Sequence, residues 1–89
     1  MNLKALSVYS GPQYNTYFFH YDDPSCQLVR VDTTLDSIKD IVVITGKKFW
    51  FDMLRKNNII GPKQHSITYK QFQKLLMMYK IMGFKVDTI

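Results

Sequence analysis

The chain of 89 residues contains no glutamate and only one cysteine, Cys26. A lone cysteine cannot close an internal disulfide, so a reducing cytoplasm is the expected compartment. Cys26 has no neighbouring base and is expected to be structural or incidental. Long apolar runs are also missing. The apolar runs that occur, such as Ile41–Ile44, are far shorter than the roughly 20 residues that cross a bilayer, and the sequence does not open on an apolar signal-peptide segment. No membrane partner is therefore expected. There is no internal repeat, linker or low-complexity stretch. With 46% apolar and 15% aromatic residues the composition is that of a folded chain, read as one domain over 1–89. No catalytic or metal-ligand motif occurs, so a non-enzymatic protein without cofactor or metal is expected.

Charge is present but unevenly placed. Residues 1–46 hold three basic side chains against five acidic ones, a net −2. Residues 47–85 hold nine basic side chains against Asp52 alone, a net +8. Such a field attracts polyanions, although lysines also serve as an ordinary solvated surface.

The pattern of elements predicts an α+β fold. Leu3–Tyr9, the aromatic-dense Tyr14–Tyr21 and Cys26–Val31 read as strands separated by the turns Ser10–Gln13 and Asp22–Ser25, an antiparallel meander. Thr33–Lys39 reads as one helical turn with Thr33 or Thr34 as its cap. Asp40–Thr45 is β-branched and reads as a strand buried on both faces. A helix over Lys47–Lys56 follows, stopped by Asn57-Asn58, and Gly61-Pro62 marks a turn. Thr68 and Gln71 form a T-x-x-Q capping box ahead of a second helix over Tyr69–Met82, with Gly83 as its left-handed stop and Phe84 folding back. Phe84–Ile89 returns as an edge strand or frays. The expected architecture is a mainly antiparallel sheet of three to five strands, strand-rich over 1–45, with the helical pair 46–83 packed on one face.

At about 100° per residue, Tyr69, Phe72, Leu75, Leu76, Tyr79 and Met82 form the core face of the second helix. Lys70, Gln73, Lys74 and Lys80 lie opposite, and Met77, Met78 and Ile81 fall among them. Either a neighbour covers that apolar trio, or it is an exposed patch in a lysine rim suited to a partner protein or a second copy of the chain. In the first helix Phe49, Trp50, Met53 and Leu54 face the core, and Phe51 sits at the edge as a further partner-contact residue. Asp52 stands four residues from Lys48 and from Lys56, in reach of local ion pairs. The expected nucleic-acid-binding set is Lys47, Lys48, Arg55, Lys56, Lys63, Lys70, Lys74 and Lys80.

Other chemistries are weaker. Aromatics on both faces of Tyr14–Tyr21 argue for packing over base stacking. His20, Asp22, Asp23 and Cys26 lie close in sequence, but turn formation accounts for the two acids. His20 and His65 would act as acid and base on RNA only if adjacent in space. Gly46-Lys47-Lys48 resembles the tail of a phosphate loop, yet Ile41 stands where its first glycine belongs and Lys48 where Ser or Thr belongs. What remains is a helix N-terminus with two lysines, a simple anion site.

In short length, in abundance of Lys, Ile, Asn, Phe and Tyr, and in absence of Glu, the whole chain resembles the small accessory proteins of T4-type phages. Some of these counter host toxins or defence systems, among them inhibitors of the ToxN endoribonuclease, which are small, basic and associated with RNA. The resemblance implies an RNA-facing field over Lys47–Lys85, a host toxin or defence protein as partner, and the host cytoplasm as location. The alternative is a protein–protein module that blocks a host protein without nucleic acid.

Overall fold

In the aromatic segment Tyr14–Tyr21, side chains alternate between an apolar interior and the outside, and the sheet is built outward from it. The computed structural model describes residues 2–35 and 40–88. Its strands are β1 (Leu3–Ser10), β2 (Tyr14–Tyr21), β3 (Leu28–Thr34), β4 (Ile41–Thr45) and β5 (Asp87–Thr88), and its helices are α1 (Lys47–Lys56) and α2 (Tyr69–Ile81). The sheet order is β4-β3-β2-β1-β5, antiparallel throughout except that β5 lies parallel to β1. This is an α+β fold.

Register fixes the two faces. Leu6 and Val29 flank Phe19, Val8 and Val31 flank Tyr17, and Val43 continues the second row onto β4. Both helices pack on this face. The Phe19 ring lies 5.3 Å from Trp50, 6.3 Å from Phe72 and 6.1 Å from Tyr79, and Tyr17 stacks on Phe72 at 4.9 Å. On the opposite face stand Tyr14, Phe18, His20, Leu28 and Val42. Tyr14 and His20 are exposed, so the expectation that every aromatic packs holds for Phe19 and Tyr21 but not for Tyr14.

Three strand expectations are corrected. The third strand begins at Leu28, not Cys26, because Asp23 accepts from the N–H and hydroxyl of Ser25 and its carbonyl accepts the Cys26 N–H, which prolongs the turn. Thr33 and Thr34 close β3 rather than cap a helical turn, and residues 36–39 lie outside the described residues. β4 is the sheet edge and not a doubly buried strand. Its Ile41 and Val43 pack inward, whereas Val42 is 53% exposed.

The helix ends follow local chemistry. Thr68 accepts from the Gln71 N–H, and the Gln71 side chain accepts from the Thr68 N–H, closing the capping box. At the other end Gly83 takes φ +94°, the Phe84 N–H reaches the Tyr79 carbonyl, and the Phe84 ring packs on Tyr79. Asn58 at φ +59° stops α1 in the same way, with the Ile59 N–H on the Leu54 carbonyl. α2 buries Phe72, Leu75 and Tyr79, but Met82, expected on its core face, is exposed beyond the last turn. Phe51 is corrected in the other direction. It is 6% exposed, packed beside Trp50 and sharing a cleft with Ile67, because the α1–α2 connection folds over it.

The Tyr21 and Tyr79 hydroxyls meet 3.1 Å apart within this core. Burial pushes the Tyr21 hydroxyl far above its ordinary value and raises Tyr79 as well. The unfolded chain ionises its tyrosines near about pH 10, so the stability held by the neutral pair is complete below that pH and is lost above it. Melting temperature is therefore expected to fall steeply between about pH 9.5 and 11. A Tyr21→Phe/Tyr79→Phe protein, followed by circular dichroism, is expected to start lower and fall less. An equal slope in both proteins would rule the pair out as the cause.

Candidate polyanion and partner surfaces

The chain passes from β4 into α1 through Gly46, at φ +69° and ψ +23°. A Cβ there would stand 2.8 Å from the Cys26 Sγ and 2.9 Å from the Leu28 carbonyl oxygen, so only glycine fits this approach. The sharp entry puts Lys47 and Lys48 in the first turn of α1, which has neither an acidic residue nor a side-chain cap. The open N–H groups and the helix dipole add to the two ammonium charges in favouring an anion. Lys47, Lys48 and Asp52 border two adjoining clefts. One, of about 670 Å³, extends to Cys26 and Lys56; the other, of about 550 Å³, extends to Arg55 and His65.

All seven lysines of the expected binding set are exposed: Lys47, Lys48, Lys56, Lys63, Lys70, Lys74 and Lys80. Among the described residues none of them forms an ion pair. Arg55 differs. Its Nη1 donates to Asp52 at 2.8 Å, its Nε to the Gln64 carbonyl at 3.0 Å, and its Nη2 lies 3.0 Å from His65 Nδ1. Arg55 thus fastens the α1–α2 connection to α1. The ion pairs expected between Asp52 and Lys48 or Lys56 are replaced by this Arg55 pair, since the guanidinium, held by two other partners, needs no further ordering to reach the carboxylate.

The lysines of α2 form a second group. Lys74 borders a groove of about 430 Å³ with Ile59, Met77, Met78, Ile81 and Met82, and Lys80 borders a smaller groove on the far side of Met77. Met77 is 63% exposed and Ile81 81%. Of the expected partner residues, Met77, Met78 and Ile81 therefore share one open strip, while Phe51 is part of the core. The sequence reading missed Met82 and Ile59. Met82 could have been found from Gly83, since a residue just before the stop has no further turn to cover it.

Of the residues considered for catalysis, Asp23 and Cys26 border one cleft, while the two histidines stand apart. Asp22 accepts from the Asn2 N–H, Asp23 holds its own turn, and the Cys26 thiol contacts the Leu28 carbonyl. His20 projects from the sheet face opposite Phe19, while His65 lies against α1, so the sheet separates them. Among the described residues no three His, Cys, Asp or Glu side chains gather as a metal site, and no helix is long and apolar enough to cross a membrane. Comparison of the chain with protein-family models, with curated proteins and with solved structures finds no match.

Proposed function

We propose that the protein is a non-enzymatic binder of single-stranded RNA, with α1 as the centre of the contact. The supporting observation is the array of seven exposed lysines without ion pairs among the described residues, densest where Lys47 and Lys48 meet the open end of α1. Lys47, Lys48 and Lys56 take the phosphates, Lys63, Lys70, Lys74 and Lys80 extend the field, and Arg55 holds the scaffold. The resemblance to phage accessory proteins supplies a setting, in which RNA binding in the host cytoplasm interferes with a toxin or defence system. Affinity is expected to fall with salt at a log–log slope of about −0.7 per neutralised phosphate. Lys47→Gln/Lys48→Gln/Lys56→Gln should weaken binding to all sequences alike and reduce that slope by about 2. Binding that does not change between low and moderate salt would overturn the proposal.

A second reading, a module that binds a host protein directly, is favoured by the exposure of Met77 and Ile81. Phosphates need only the lysines and gain nothing from this strip.

A further inference from the structure

We infer that the outer face of α2 is a docking site for an acidic amphipathic helix of a partner protein. This rests on the second reading above and adds the chemistry of the occupant. In projection around the helix axis the exposed residues run Lys80, Gln73, Met77, Lys70, Ile81, Lys74, Met78, so that lysines lie beside the apolar strip and within it. Met77 forms a ridge between two grooves, and the larger groove continues over Leu75 to Met82. A ridge flanked by grooves takes the side chains of a helix laid along it, and methionines adapt to the shapes they meet. Lys70 and Lys74 are one turn apart, so a partner helix with carboxylates one turn apart meets both while its apolar residues cover Met77 and Ile81.

Charge selects among the occupants. α2 carries Lys70, Lys74 and Lys80 and no acidic residue. A second copy docked by α2 across a two-fold axis would set this face against itself, lysine toward lysine. RNA would satisfy the lysines but leave Met77 and Ile81 in water. An acidic amphipathic helix satisfies both.

The test uses a synthetic helix-forming peptide with leucines along one face and glutamates flanking them, and a control with every glutamate replaced by lysine. Fluorescence anisotropy is expected to show binding of the acidic peptide alone. Met77→Gln/Ile81→Gln should weaken that binding about tenfold or more while RNA affinity and melting temperature stay as they were. Lys70→Glu/Lys74→Glu should reverse the preference toward the basic peptide, a gain of binding that an unfolded protein cannot give. Equal binding of both peptides, or unchanged binding by Met77→Gln/Ile81→Gln, overturns the inference. So does a dimer in sedimentation that this variant abolishes, since a second copy then owns the face. If a protein partner is lost from Met77→Gln/Ile81→Gln but the acidic peptide never binds, the inference fails and the broader partner reading stands.

Discussion

Phe19→Ala is expected to destabilise the protein by about 4 kcal/mol, measured by urea unfolding. Phe19 is fully buried at the centre of β2, and its ring touches one aromatic side chain from α1 and two from α2. Truncation removes the apolar transfer energy and also leaves a cavity between three large rings that cannot all close on it. A domain of this size holds about 5–15 kcal/mol in total, so this single truncation removes a large fraction of its stability. Phe18 provides the control. It is the next residue along the same strand, half-buried on the opposite face, and Phe18→Ala is expected to cost about 1 kcal/mol. Similar losses at both positions would mean that the two faces are not divided into core and surface as described.

Gly46→Ala is expected to cost on the order of 3 kcal/mol, from two additive sources. An L-residue at φ +69° carries about 1–2 kcal/mol of backbone strain. Its methyl group would also overlap the Cys26 Sγ, Val29 and the Leu28 carbonyl oxygen, an overpacking cost of about 1–3 kcal/mol. Gly83→Ala separates the two sources. Gly83 is left-handed too, at φ +94°, but nothing lies within 4 Å of an added Cβ. Only the strain of about 1–2 kcal/mol is expected there. Equal losses from both substitutions would show that β3 yields to the methyl group. Because Gly46 aims the first turn of α1, Gly46→Ala should also weaken the proposed RNA binding at temperatures where the protein remains folded, and Gly83→Ala should not.

What could be read from the sequence was whatever local chemistry determines. Thr68, Gln71, Gly83 and Asn58 act on their own backbone or on residues a few positions away, and both helices and the turn at 22–25 followed from such signals. The alternation in Tyr14–Tyr21 divided the side chains between two faces, because the pleat has a period of two, but with aromatics on both it did not say which face is the inner one. Misreadings came where a distant segment decides. A β-branched run such as Ile41–Thr45 has the same composition in the centre of a sheet as at its edge, and strand order is set by the whole chain. Phe51 sits at the margin of the α1 apolar face, and its burial depends on a connection that returns from Ile67. The lysines were visible as a charge excess, but their division between an α1 group and an α2 group depends on how the two helices are placed. The hydrogen bonds that hold Arg55 against the α1–α2 connection depend on Gln64 and His65, nine and ten residues further on.

The parallel pairing of β5 with β1 has a kinetic consequence. Ser7 pairs with Asp87, 80 positions later, whereas Ser10 pairs with Asn15 only five positions later. The ratio of sixteen is four doublings of loop length, and closing the longer loop costs about 2.4 kcal/mol more in chain entropy. Only two residue pairs reward that closure. The hairpins of β1 to β4 are therefore expected to form first and β5 to join last, once packing has shortened the distance it must search. Until it arrives, Ser7 and Val8 on the edge of β1 offer unpaired backbone groups to any other extended chain, so this stretch passes through an interval of exposure to mispairing that β5 then closes.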